Sequence, residues 1–135
     1  MPNQIFVNLP TTDLERSKTF FTALGWRIEP QFTDENAACV VINDSMFLMM
    51  LTPAFFATFT DKAIADPQTV LQVETAFGED SREAVDALAD RAVAAGGREP
   101  RPAQDAGFMY SRSFDDPDGN LFSAVWMDPN GMPPA

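Results

Sequence analysis

The sequence predicts an α+β fold built from two tandem βαβββ modules. Three observations lead there. Strand-like stretches and a single amphipathic helix recur in the same order in both halves of the 135-residue chain. Each helix opens on a capping-box signature, Thr12–Glu15 in the first half and Asp80–Glu83 in the second. Each helix also closes on glycine, at Gly25 and at Gly96-Gly97.

In the first half, Ile5–Leu9 reads as a strand running into Pro10. Thr12 is the expected N-cap of the first helix, whose apolar face is Leu14, Phe20, Phe21 and Leu24 at helical spacing. Three strands are then expected over Trp26–Phe32, Ala37–Ile42 and Met46–Leu51, with a tight turn at Asn43-Asp44-Ser45 between the last two. In the second half, Val70–Phe77 reads as a strand. Val85, Leu88, Ala92 and Ala95 form the apolar face of the second helix. Strands follow over Arg98–Arg101, Phe108–Asp115 and Leu121–Met127. Asp116-Pro117-Asp118-Gly119-Asn120 is a turn by its chemistry, because proline presets φ, Asp bonds its own backbone and glycine tolerates positive φ. That gives module one over about 4–52, a linker over about 53–68, module two over about 69–128 and a loose tail at 129–135. The linker aromatics Phe55, Phe56 and Phe59 predict a short helical turn packed over a groove.

Composition narrows the chemistry. The chain has no histidine, which removes imidazole general bases, histidine-dependent nucleophiles and imidazole metal ligands. Nine Lys+Arg against twenty Asp+Glu give a formal charge of −11, unfavourable for nucleic acid. Cys39 is the only cysteine and sits in the apolar run Ala37–Ile42, where a small buried thiol fits better than a nucleophile. No stretch is long and apolar enough to span a bilayer, and Met1–Gln4 lacks a signal-peptide pattern. A cytoplasmic location without membrane association is the expectation.

Asn8-Leu9-Pro10-Thr11-Thr12-Asp13-Leu14-Glu15-Arg16-Ser17 leads into Phe20-Phe21 and Leu24-Gly25-Trp26. With Asp116–Asn120 before a closing strand and Gly107–Phe114 upstream, the chain resembles the vicinal oxygen chelate superfamily. That superfamily includes glyoxalase I, extradiol dioxygenases and bleomycin-resistance proteins. The Gly107–Phe114 stretch is similar to a glyoxalase-like subgroup labelled predicted lactoylglutathione lyase. The resemblance implies paired cupped mixed sheets with a cleft, and it makes a homodimer the expected assembly. It also implies where metal ligands stand in members that use one. Those positions fall on Phe6 or Asn8, on Met50, near Gln72 and on Ser123. Such residues are poor ligands for divalent first-row ions, so no metal and no cofactor is expected.

By strand alternation, Phe6, Asn8, Leu48, Met50, Gln72, Glu74, Tyr110, Arg112, Phe114, Ser123 and Val125 are the residues expected in the cleft. Phe6, Met50 and Phe114 could equally fill the core. Asn8 and Gln72 could equally tie down a loop. Arg112 would bind a carboxylate or pair with Glu74 if it faces inward, and would be a surface cation otherwise. Besides a structural or regulatory homodimer with a vestigial cleft, two functions follow from different classes. One is a metal-free protein binding a small organic molecule in an apolar cleft. The other is a glyoxalase-type lyase or isomerase, using either a metal or Glu74 as base with Tyr110 as acid.

Overall fold

The computed structural model describes residues 3–131. Its elements are β1 (Ile5–Pro10), α1 (Leu14–Ala23), β2 (Arg27–Ile28), β3 (Ala37–Val41), β4 (Met46–Leu51), α2 (Pro53–Phe56), β5 (Glu74–Gly78), α3 (Arg82–Ala94), β6 (Gln104–Asp105), β7 (Met109–Asp115) and β8 (Leu121–Met127). Two four-stranded mixed sheets form, in the orders β1-β4-β3-β2 and β5-β8-β7-β6. In each, the opening strand pairs parallel to the closing strand and the remaining pairs are antiparallel. This is the duplicated βαβββ order that the sequence predicts.

Several boundaries differ from expectation for local reasons. The cap of α1 is Asp13, which accepts from the Arg16 amide at 3.0 Å, so the start lies one residue later than Thr12. The cap of α3 is likewise Ser81, accepting from the Ala84 amide at 3.0 Å, rather than Asp80. Thr12 and Asp80 match the same cap pattern one residue earlier, a shift that spacing alone does not resolve. The strand expected over Trp26–Phe32 shrinks to β2, because Glu29 caps a 3-10 turn at Pro30–Phe32. Arg98–Arg101 keeps only a bridge from Arg98 to Asp115; Pro100 and Pro102 cannot donate to a ladder, and pairing resumes at β6. Val70–Val73 is unpaired, so β5 begins only at Glu74. The expected helical turn in the linker is present as α2, capped by Thr52 and followed by a 3-10 turn at Ala57–Phe59. Of the expected loose tail, Asp128–Gly131 forms a turn closed by the Gly131 amide on the Asp128 carbonyl, and residues 132–135 lie outside the described residues.

One apolar core joins both halves. Phe20 and Phe21 of α1 meet Phe114 and Phe122 of the second sheet at ring-centroid distances of 6.4 and 5.8 Å. Trp26 meets Phe77 at 5.2 Å. Ala38, Val40, Leu48 and Met50 from the first sheet enter the same cluster as Val85, Leu88 and Ala92 from α3. The helix-bearing faces of the two sheets therefore face one another, and their opposite faces point outward. Fully burying one large apolar side chain contributes about 1.5–3 kcal/mol, so this shared core holds the halves together.

Candidate functional site

Strand register decides which side chains are available. On the first sheet Val7 and Leu9 pack toward the core together with Leu48 and Met50, leaving Phe6, Asn8, Phe47 and Met49 on the outer face. Phe6 and Phe47 stack there at 4.5 Å. On the second sheet Phe77, Phe114 and Phe122 face the core. Glu74, Ala76, Ser111, Ser113, Ser123 and Val125 therefore share the outer face.

The expected cleft set thus divides. Phe6, Asn8, Glu74, Ser123 and Val125, expected in the cleft, lie on the outer faces of the two sheets. Met50 does not; it is fully buried under α1, and Leu48 lies beside it in the core. Phe114 is also core. Tyr110 and Arg112 face α3 rather than a cleft. The Tyr110 hydroxyl donates to Asp86 at 2.6 Å. Arg112 donates to Glu99 at 2.9 and 3.0 Å, to Asp90 at 2.8 Å and to Asp86 at 3.1 Å. Arg112 is neither a surface cation nor a partner of Glu74. It is the hub of an ion-pair network behind the sheet. The Asp86 carboxylate pushes the Tyr110 pKa up, so this phenol is a poorer acid than usual. Tyr110 and Glu74 stand on opposite faces of the second sheet and cannot serve one substrate as acid and base.

Two cavities border the seam between the sheets. One, of about 240 Å³, is bounded by β1 at Asn8–Pro10, by Ile64 and Val70–Val73 of the linker region and by Gly119–Leu121. Asn8 and Gln72 line it together among mostly apolar neighbours. The second, of about 360 Å³, opens beside Thr11, Thr12, Arg16, Asp66 and Asp118. Pro10, Ile64, Ala65 and Pro67 line both, so the segment 64–67 is a shared wall. That wall is pinned by Gln68, which donates to the Pro117 carbonyl at 3.2 Å. The 116–120 turn also approaches it closely at Gly119. With φ at +98°, this residue has its backbone in a conformation suited to glycine, and a Cβ there would lie 2.9 Å from the Pro67 carbonyl oxygen.

The same turn locks the halves together. Asp118, almost wholly buried, accepts from the Thr11 hydroxyl at 2.6 Å, from the Thr12 amide and hydroxyl at 2.9 Å each and from Arg16 at 2.8 Å. Because the Thr11 proton goes to that carboxylate, Ser17 donates in the 2.7 Å contact between the two hydroxyls. Asp116 accepts from the amides of Asp118 and Asn120 and from the Asn120 side chain. Asn120 in turn donates to the Pro10 carbonyl at 3.0 Å. Burial is the largest influence on the Asp116 carboxyl and raises its pKa from 3.8 to about 6, with the Asp118 charge adding to the rise.

The positions that carry ligands in metal-using relatives can now be tested on their donors. They hold phenyl, amide, thioether and hydroxyl groups. Met50 points into the core, and the outer-face carboxylates Glu74 and Asp115 are taken up by Arg101 at 2.8 Å and Arg98 at 3.3 Å. Among the described residues no three His, Cys, Asp or Glu side chains come together as a metal-binding group. This donor set does not fit a divalent cation. Cys39 is buried, and burial raises its thiol pKa, in keeping with a structural role.

Ser111 and Ser113 on the outer face and the linker residues Ile64 and Pro67 were not anticipated. Ser111 and Ser113 alternate along β7 and are found once its register is known, whereas Ile64 and Pro67 carry no pattern that places them beside β1.

The architecture is that of the glyoxalase and bleomycin-resistance proteins. A family model described as bleomycin resistance protein-like N-terminal matches residues 4–43. A hypothetical protein from S. aureus superposes with a TM-score of 0.77 at 25% identity, covering 93% of this chain and 95% of that one. A glyoxalase/bleomycin resistance protein/dioxygenase family enzyme from Burkholderia phytofirmans PsJN gives 0.76 at 18% identity, covering 93% and 99%. A lactoylglutathione lyase from Agrobacterium tumefaciens gives 0.68 at 19% identity, covering 97% and 98%. No curated protein matches the sequence. The N-terminal match and the shared fold agree with the resemblance read from the sequence. No helix among the described residues is long and apolar enough to cross a membrane.

Proposed function

We propose that this protein binds a small organic molecule without the help of a metal ion, in the groove where β1 meets the linker. The observation that carries this reading is a cavity of about 240 Å³ with a mostly apolar lining into which the three amides Asn8, Gln72 and Asn120 are set. An apolar lining with a few polar groups that fix orientation is what small-molecule sites share. The donor set on the outer faces supports the metal-free part, since among the described residues no three His, Cys, Asp or Glu side chains gather there to hold a metal ion.

Assembly as a homodimer belongs to the same proposal. Ile5 and Phe6 on β1 and Val70, Leu71 and Val73 in the segment leading into β5 are all about half exposed. A second copy covering that surface would bury them and wall the groove from solvent.

The neutral fluorescent probe N-phenyl-1-naphthylamine tests the reading. It should brighten and saturate on titration with the protein and raise the melting temperature as RT ln(1 + [L]/Kd) requires. Replacing Asn8 or Gln72 by Leu should shift its affinity while leaving the fold intact. A probe that neither saturates nor responds to these substitutions would overturn the groove as a binding site. Turnover of the hemithioacetal of methylglyoxal and glutathione at an enzymatic rate would favour a glyoxalase-type lyase instead.

A further inference from the structure

We propose that the outer face of the second sheet holds a subsite for an organic cation, an ammonium or amidinium group carried on an apolar body, with Glu74 as its counter-charge. The inference rests on the small-molecule reading above and names the charged end of that molecule.

The register lays this face out in rows. Glu74, Leu121 and Asp115 form one row across β5, β8 and β7. Ala76, Ser123 and Ser113 form the next, and Gly78, Val125 and Ser111 the third. Ala76 and Gly78 add almost no bulk, so the floor beside the carboxylate row is low. Ser111 and Ser123 are each more than nine-tenths buried. Their hydroxyls take no hydrogen-bond partner among the described residues, whereas Ser113 reaches Glu74 at 3.4 Å. Every fully shielded side-chain oxygen among those residues is paired, so the Ser111 and Ser123 oxygens are open to this face. Hydroxyls shielded by the sheet and without a partner in the fold are free to bond a molecule seated on this face in place of water.

The sign of the ligand's charge follows from what is fixed and what can leave. Glu74 and Asp115 stand on strands. Their partners Arg101 and Arg98 come from the segment that follows α3, held by a single bridge and interrupted by Pro100 and Pro102. The arginine side chains are 41% and 77% exposed, and exposed ion pairs of this kind contribute little. An incoming cation can therefore displace Arg101 from Glu74, and the hydroxyls of Ser113, which already reaches Glu74, and of Ser123 in the same row can accept its remaining N–H bonds. The −11 charge of the chain favours approach by a cation over an anion. Leu121 stands in the Glu74 row and also lines the seam groove, so the apolar body of the molecule continues into that groove.

The test is a titration of the full ¹⁵N-labelled chain with benzylammonium, alongside benzyl alcohol and benzoate as neutral and charge-reversed probes. Benzylammonium should shift the amides of Glu74, Ser113 and Ser123 saturably and bind at least tenfold tighter than benzyl alcohol. Glu74→Gln should weaken it tenfold or more, and Arg101→Gln should tighten it three- to tenfold by removing the competitor. Equal affinity for the charged and neutral probes, or an unchanged affinity in Glu74→Gln, would overturn the proposal. So would benzoate binding that Arg101→Gln abolishes, which would make this an anion site. Both substitutions are at solvent-accessible positions, and an undisturbed amide spectrum shows that the variants fold. If N-phenyl-1-naphthylamine still binds the seam groove while benzylammonium fails, only this subsite is wrong; if both fail, the small-molecule reading falls with it.

Discussion

Replacing Asp118 by Ala should be among the most damaging single changes in the chain. The carboxylate is almost wholly buried and receives four hydrogen bonds from Thr11, Thr12 and Arg16, over a hundred residues away in sequence. Each hydrogen bond to a charged group is worth about 1.5–3 kcal/mol, but the four act as one unit and do not add. Breaking a buried charged network typically costs about 3–5 kcal/mol, because the groups left behind lose their partners. With about 2.1 cal/mol/K of unfolding entropy per residue over 135 residues, or roughly 0.28 kcal/mol/K, the melting temperature should fall by about 10–18 °C. Urea denaturation of the wild type, Asp118→Ala, Asp118→Asn and Thr11→Val would measure this, and a double-mutant cycle should give at least about 1 kcal/mol of coupling between Asp118 and Thr11. Asp118→Asn keeps the volume and one acceptor and should fall between the extremes. A loss below about 1 kcal/mol in Asp118→Ala, or no coupling to Thr11, would refute the idea that this turn locks the halves.

Other perturbations test separate parts of the account. Asp116 has its pKa raised by burial from 3.8 to about 6, so its contribution to stability is fully present below pH 4 and is lost as pH rises through 6. The shift of about two units amounts to roughly 3 kcal/mol, and Asp116→Asn should flatten the stability profile between pH 4 and 7 when followed by denaturation. At Gly97 a Cβ would lie 2.7 Å from the Asp115 carbonyl oxygen and 2.8 Å from that of Ala92. Gly97→Ala should therefore cost about 1–3 kcal/mol, read from the denaturation midpoint. Phe6→Asp combined with Leu71→Asp should convert a dimer to a monomer in sedimentation velocity without loss of helical signal; an unchanged dimer would place the interface elsewhere.

The order of elements could be read from the sequence because helix caps, glycine stops and turn chemistry are local signals. Face assignment was harder, and β4 and β7 show why. Met46–Leu51 is apolar at every position, so alternation cannot tell Leu48 and Met50 from Phe47 and Met49 until α1 is seen to cover the first pair. In β7 the large residues Tyr110, Arg112 and Phe114 alternate with Ser111 and Ser113. Placing the large set in the cleft put it on the wrong side, because the core beneath the sheet takes Phe114 and the acidic side chains of α3 and Glu99 take Arg112. On β1 and β8 the expected and observed starts coincide, so Phe6, Asn8 and Ser123 can be grouped by simple alternation, whereas the start of β5 moves from Val70 to Glu74. The groove wall was out of reach. It depends on Gly119 and Pro67 approaching across the fold, a tertiary contact with no local trace.

The central claim is that the seam groove binds an organic molecule with no divalent cation involved. The most direct measurement is the N-phenyl-1-naphthylamine titration repeated on protein stripped with EDTA and then on the same protein supplied with one equivalent of zinc or manganese. The account predicts one dissociation constant under all three conditions, weakened only when Asn8 or Gln72 is replaced. Binding that vanishes on chelation and returns with a stoichiometric metal ion would contradict it.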